Sequence, residues 1–371
     1  MGCQDLNSIF KRALDAWRGA GPYSITIPPM DGALRPNQAI EEAPVLLGVT
    51  APDNLVHHGM RLLFSTGGVV QVLKTDGISA STEPFAAFDQ SVTALAVHPG
   101  GGVAIGLEDG RVLVRGGRHD GKRLTQLGSR TIVCPTALMF ADEDTLLIAL
   151  GSQQNAPEAW KHDLMQRNAS GSVWRVDLAS GQEICLADRL AYPYGLLLDG
   201  DGSAVVSESW RNQLVRVRPG AKPEIALNDI SGYPARLAPT ADGTGAWLSV
   251  FAPRSQLVEF ALRERDYCNE MMREIEPQHW IAPSLSAIQS FLEPMQVGGL
   301  KQLGMVKPWA PTQSFGLVVR LDDACEPQDS FHSRADGRRH GITSSVEING
   351  RLLATSKGGH AIVSIPLATG S

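Results

Sequence analysis

The sequence predicts an all-β fold, a six-bladed β-propeller with an N-terminal helical extension and a long insertion between blades 5 and 6. Three observations lead there. Glycine (38) and proline (23) together make up about one residue in six of the 371, a density that implies many tight turns. A unit of apolar strand, Gly/Asp-rich turn and second apolar strand recurs six times along the chain. Helical periodicity is confined to the N-terminal segment and to RERDYCNEMMREI (263–275). No strand–helix alternation is visible, which argues against a parallel α/β sheet.

Residues 1–43 open with an amphipathic helical pattern and are assigned to an extension; residues 44–371 form the propeller. The six copies read PDNLVHHGMRLLFST (52–66), VTALAVHPGGGVAIGL (92–107), PTALMFADEDTLLIAL (135–150), PYGLLLDGDGSAVVSES (193–209), PARLAPTADGTGAWLSV (234–250) and ITSSVEINGRLLATS (342–356). Aligned, they place Asp53, Thr93, Thr136, Tyr194, Ala235 and Thr343 at one equivalent position, with separations of 40, 43, 58, 41 and 108 residues. A period of about 40 is that of a four-stranded propeller blade. The two long gaps imply insertions at about 152–171 and 264–312. Outer-strand candidates are GRVLVRG (110–116), SVWRVDL (172–178), QLVRVRP (213–219), QLVEFAL (256–262) and HAIVSIPL (360–367).

A hydrophobic fraction of 43% is enough for a large core, and the net charge of −6 argues against a nucleic-acid partner, which selects a basic face. Five widely spaced cysteines with no CxxC pair fit reduced thiols. The N-terminus has no unbroken apolar stretch of a signal peptide, and no window reaches the roughly 18 apolar residues of a membrane span. The expectation is a soluble, cytoplasmic protein with a small-molecule partner and no membrane insertion; the oligomeric state is left open. No P-loop, GxGxxG, HExxH, GxSxG or EF-hand pattern occurs.

In a propeller the innermost strands line a central channel, and the equivalent residues at their leading ends crowd one mouth, the kind of concavity that ligands favour. From this ring and its neighbours the candidates for chemistry are Asp53, Glu208, His340 and Glu347. Candidates for substrate binding are Asn54, Thr136, Tyr194, Arg236 and Thr343, with Trp309 from the long insertion. Glu347, just before the turn Asn349-Gly350, is equally compatible with an exposed turn residue. The insertion carries Pro277, Pro283, Pro294, Pro308 and Pro311 among apolar residues, which suits a cover over a pocket or a structural bridge. Trp160 and His162, in the blade 3 insertion, are placed to reach over the same mouth or to pack on its rim. Hard cations need several oxygen ligands, and here only Asp53 and Asn54 qualify as metal candidates, so no cofactor is assigned.

The segments at 192–209, 232–250, 315–323 and 340–367 resemble the strictosidine synthase-like branch of the six-bladed propellers that include gluconolactonase, regucalcin and paraoxonase. The resemblance implies the propeller over most of residues 44–367. Calcium-dependent lactonases of this superfamily carry Asn after the Pro of the blade 4 motif and Asp after that of blade 5. Here those positions are Tyr194 and Ala235, so the usual calcium site is missing or rebuilt. Strictosidine synthase uses a glutamate near the start of the last inner strand, where this chain has Thr343, with Glu347 four residues later; genuine strictosidine synthase activity is not expected. The leading functional expectation is hydrolysis of a lactone or ester of a small polar metabolite at the channel mouth. The alternatives are a non-catalytic ligand-binding or scaffold propeller, and a metal-independent lyase or condensing enzyme.

Overall fold

The computed structural model describes residues 27–367, except 59–60, 99, 200, 288–300, 303–304 and 307–311. Six four-stranded antiparallel sheets form the blades, and their first strands touch in a closed cycle. Those first strands are Pro52–His58, Val92–Val97, Pro135–Phe140, Pro193–Leu198, Gly232–Pro239 and Ile342–Ile348. The six sequence copies are therefore the inner two strands of each blade. Blade 6 takes its outermost strand, Val45–Gly48, from the N-terminal side, paired antiparallel with Ala361–Pro366. The ring is thus closed by hydrogen bonds between the two ends of the described chain.

The hydrophobic core is divided into six interblade layers. Along Thr145–Leu150, Leu146, Ile148 and Leu150 pack toward blade 2 while Leu147 and Ala149 pack toward blade 4. Successive side chains in a strand point to opposite faces, so a blade covered on both sides needs an unbroken apolar second strand. TLLIAL is such a run, and all six of its residues are buried. Leu62 and Phe64 likewise face blade 6, while Leu63 faces blade 2.

Three sequence expectations change. The segments proposed as outer strands in blades 2, 3, 4 and 6 are third strands. QLVEFAL is no strand: Gln256–Ala261 is a helix, started by Ser255, whose hydroxyl accepts from the Val258 amide at 3.2 Å. Val258, Ala261 and Leu262 are buried, while Leu257 and Phe260 are exposed, the i, i+3, i+4 stripe of a surface helix. Finally, the long insertion lies inside blade 5, between its second strand (Gly245–Pro253) and its third (Leu317–Asp322), rather than between blades 5 and 6. The expected helix in it is present at Arg265–Glu274. Trp280 and Ala282 are buried with Met271 and Cys268 against Tyr233 and Phe251 of blade 5 and Leu164 and Met165 of the blade 3 insertion.

Of the N-terminal extension, residues 27–43 run along the outside of the ring. Asn37 donates to the Ser330 carbonyl at 2.8 Å, Ser330 donates to the Ala33 carbonyl at 2.7 Å, and Ile40 is fully buried. The amphipathic pattern expected within residues 1–21 falls outside the described residues.

Candidate functional site at the channel mouth

Every inner strand breaks register with its neighbour within its first five residues: at Asp53/Val56, Val92/Ala94, Pro135/Ala137, Pro193/Gly195, Pro234/Leu237 and Ile342/Ser344. A bulge bends the strand and re-aims the residues within it. The positions aligned from sequence fall at these breaks. The backbone thus explains why one repeat position recurs at the mouth whatever its side chain.

Arg236 joins the ring at its centre. Its Nη1 donates to Asp53 Oδ1 at 2.7 Å and to the Thr343 carbonyl at 3.4 Å, and its Nη2 donates to the carbonyls of Thr93 at 2.7 Å and Thr136 at 3.3 Å. The guanidinium carbon lies 4.8 Å from the centre of the Tyr194 ring, within cation–π range. Lys357 Nζ holds the other carboxylate oxygen, Asp53 Oδ2, at 2.7 Å. Burial alone would raise the Asp53 pKa, but the charges of Arg236 and Lys357 outweigh it and hold the carboxyl well below the ordinary carboxylate range. Burial and the neighbouring Asp53 raise the Tyr194 phenol, so it stays protonated.

Above this floor opens a cavity of about 280 Å³. One wall is aromatic: Trp160, Tyr192, Tyr194, Trp210 and Phe251. Tyr192 and Trp210 stack at 4.4 Å, and Trp160 meets Phe251 edge-on at 5.6 Å. The lining also includes Thr93, Thr136, Glu108 and Lys357, with Leu285 from the blade 5 insertion. Asp163, fully buried, supports the aromatic wall from behind by accepting from Trp210 Nε1 at 2.8 Å.

Asp53, Thr136, Tyr194, Arg236 and Thr343 therefore come together, and Trp160 joins them; His162 packs on Trp280 at 4.6 Å instead. Asn54 sits next to the site but turns its amide to Ser65 Oγ at 2.8 Å and the Val92 carbonyl at 3.2 Å. Three candidates for chemistry lie elsewhere. Glu208 is buried and spent on the Ala191 amide at 2.6 Å, Gln213 Nε2 at 2.5 Å and the Arg211 guanidinium, so it ties the blade 4 strand end to its turn. His340 is fully buried between Ser314 Oγ (2.7 Å) and the Arg334 carbonyl (2.8 Å), and burial lowers its pKa. Glu347 belongs to the opposite end of the channel, with His57, and accepts from Trp247 Nε1 at 2.8 Å. A strand residue four positions along from the mouth has left it by about 13 Å at about 3.3 Å per residue. Trp309 lies outside the described residues.

Lys357, Glu108 and Phe251 were missed. Lys357 and Glu108 directly follow the second-strand residue paired with the start of their inner strand (Ser356 with Ile342, Leu107 with Val92), and Phe251 follows Val250, which pairs with Pro234, the third residue of its inner strand. Aligning the ends of the second strands, as well as the starts of the first, would have placed them on the same mouth.

The floor does not fit a calcium ion. Ala235 has no side-chain oxygen, the Tyr194 phenol is protonated, and the guanidinium already takes the oxygens that converge on the axis. Among the described residues no cluster of three or more His, Cys, Asp or Glu side chains could hold a metal ion, and no helix is long and apolar enough to cross a membrane.

No protein-family model and no curated protein matches the sequence. Among solved structures, a gluconolactonase from Xanthomonas campestris is similar over 87% of this chain and 88% of its own, at 13% identity and a TM-score of 0.54. A presumed gluconolactonase is similar over 88% of this chain and 92% of its own, at 12% identity and a TM-score of 0.52. At such identities the likeness concerns the backbone, and on that ground the chain has the six-bladed propeller fold seen in these gluconolactonase structures.

Proposed function

We propose that this propeller binds a small lactone or ester in the upper cavity and hydrolyses it without a metal. The observation that supports this reading is that one cavity is lined by both an ammonium and a carboxylate that forms no ion pair among the described residues: Lys357, held by Asp53, and Glu108. An ammonium has three donors. One is used on Asp53, which leaves Lys357 N–H groups for a substrate carbonyl oxygen and for the oxyanion that water attack creates there. Glu108 accepts the proton of the attacking water and returns it to the leaving alkoxide. The aromatic wall takes the apolar face of the ring.

Asp53 is not the base in this scheme, because both of its oxygens are held by cations. The same fact favours a second reading, binding without turnover. A panel of sugar and aliphatic lactones, assayed with and without chelator, separates the two. Metal-independent turnover that falls at least about 100-fold in both Lys357→Ala and Glu108→Gln upholds hydrolysis. Saturable binding with no turnover of any panel member leaves the binding reading.

A further inference from the structure

We propose that the floor of the upper mouth is a cation site whose cation is built into the chain, the Arg236 guanidinium. All six blades meet it. Blade 5 supplies the arginine, and blades 1, 2, 3 and 6 supply Asp53 Oδ1 and the carbonyl oxygens of Thr93, Thr136 and Thr343, at 2.7 to 3.4 Å. Blade 4 supplies the face of the Tyr194 ring at 4.8 Å. Four oxygens drawn together on an axis repel one another and leave buried acceptors unsatisfied unless a positive charge sits among them. A planar guanidinium, with five donors in a fixed fork, serves several acceptors at once.

A divalent ion added to the intact site would meet this charge directly. Removing the guanidinium frees three carbonyl oxygens and Asp53 Oδ1, all hard ligands of the kind calcium takes, while Lys357 stays on the other carboxylate oxygen at 2.7 Å, so that water must complete the shell and binding is expected to be weak. Arg236 therefore excludes metal from a site that is otherwise composed to hold one. It also works as an axial staple, since a single side chain bonds to four of the other blades. This inference stands apart from the hydrolase reading, because it concerns the floor and not what occupies the cavity above.

The test uses the full chain and the variant Arg236→Ala, with calcium chloride and millimolar guanidinium chloride as probes, read by titration calorimetry and thermal melting. The wild type is expected to show no heat of calcium binding and no shift of its melt. Arg236→Ala is expected to melt lower, by on the order of 5 °C, to regain part of the loss with either cation, and to bind calcium. Should this variant not fold, Arg236→Gln, which keeps most of the bulk and none of the charge, carries the same measurements. Either variant melting like the wild type overturns the staple. A variant that responds to neither cation overturns the cation site, as does calcium binding by the wild type that Asp53→Ala abolishes. All of these readings are independent of any lactone assay, so the failure of one proposal is distinguishable from the failure of the other.

Discussion

Replacing Asp53 with asparagine removes one negative charge and leaves two cations facing a neutral amide. The side chains of Asp53 and Arg236 are only 7% and 10% exposed, whereas that of Lys357 is 33% exposed. Most of the cost therefore falls on Arg236, because Lys357 can turn toward water. Removing one partner of a buried ion pair costs about 3–5 kcal/mol, and the exposure of Lys357 places this case toward the lower end. An unfolding entropy of about 2.1 cal/mol/K per residue gives ~0.8 kcal/mol/K for a 371-residue chain. The melting temperature should therefore fall by about 4–5 °C, measured by calorimetry at pH 7. Adding Lys357→Met to Asp53→Asn should recover part of the loss, since one of the stranded charges is gone. An Asp53→Asn variant that melts within about 1 °C of the wild type would falsify the claim that this carboxylate balances two cations.

The pH dependence of the same pair follows from the lowered folded pKa of Asp53. Its contribution is complete above the unfolded value of about 3.9 and is lost as pH falls toward the folded one, so the stability gap between wild type and Asp53→Asn should hold from pH 7 to about 5 and narrow below about 4. A gap that widens on acidification reverses the sign of the argument. Gly195→Ala should destabilise by about 1–3 kcal/mol, because the added methyl would lie 2.5 Å from the Ala235 carbonyl oxygen and 2.9 Å from Arg236 Cα; denaturant melts unchanged from wild type would count against this packing at the mouth. Glu208→Ala should lower stability by about 3 kcal/mol yet leave ligand affinity within about twofold; a selective loss of affinity would restore Glu208 to the site. Trp160→Ala should weaken binding of any cavity ligand by about tenfold with little change in melting, and an unchanged affinity by titration would remove the aromatic wall from the recognition surface.

The propeller was legible because each blade repeats one local pattern. Apolar runs such as TLLIAL and VAIGL demand cover on both faces, and six copies of one pattern, three of the five separations being close to 40 residues, leave few other architectures. Asp53, Tyr194, Thr136 and Thr343 were found for the same reason, since a repeat alignment carries positional information that single residues lack. What could not be read was direction beyond the first bulge. Glu347 and Glu208 share a strand pair with the mouth, yet one lies at the far end of the channel and the other turns into its own loop. QLVEFAL was misassigned because seven residues of mixed apolarity satisfy a period of 2 or of 3.6 about equally well. The capping by Ser255 was the signal that distinguishes them. Arg236 was expected to bind substrate; its partner is instead an acid 183 residues away, a pairing no local pattern encodes.

The outer strand of blade 6 sets the order in which this molecule can be completed. Val45–Gly48 emerges from the ribosome long before Ala361–Pro366, its partner across some 300 residues. Until that partner arrives, the early strand has no ladder to join and the nascent ring remains an open arc with two exposed interblade faces. Contacts of such sequence separation slow folding, because the loop must close before it is rewarded. An unpaired Ala361–Pro366 edge is also a template for the early strand of another copy. Dimers exchanging Val45–Gly48 are therefore the expected by-product of refolding at high protein concentration, and a chain shortened past residue 48 should expose that edge permanently.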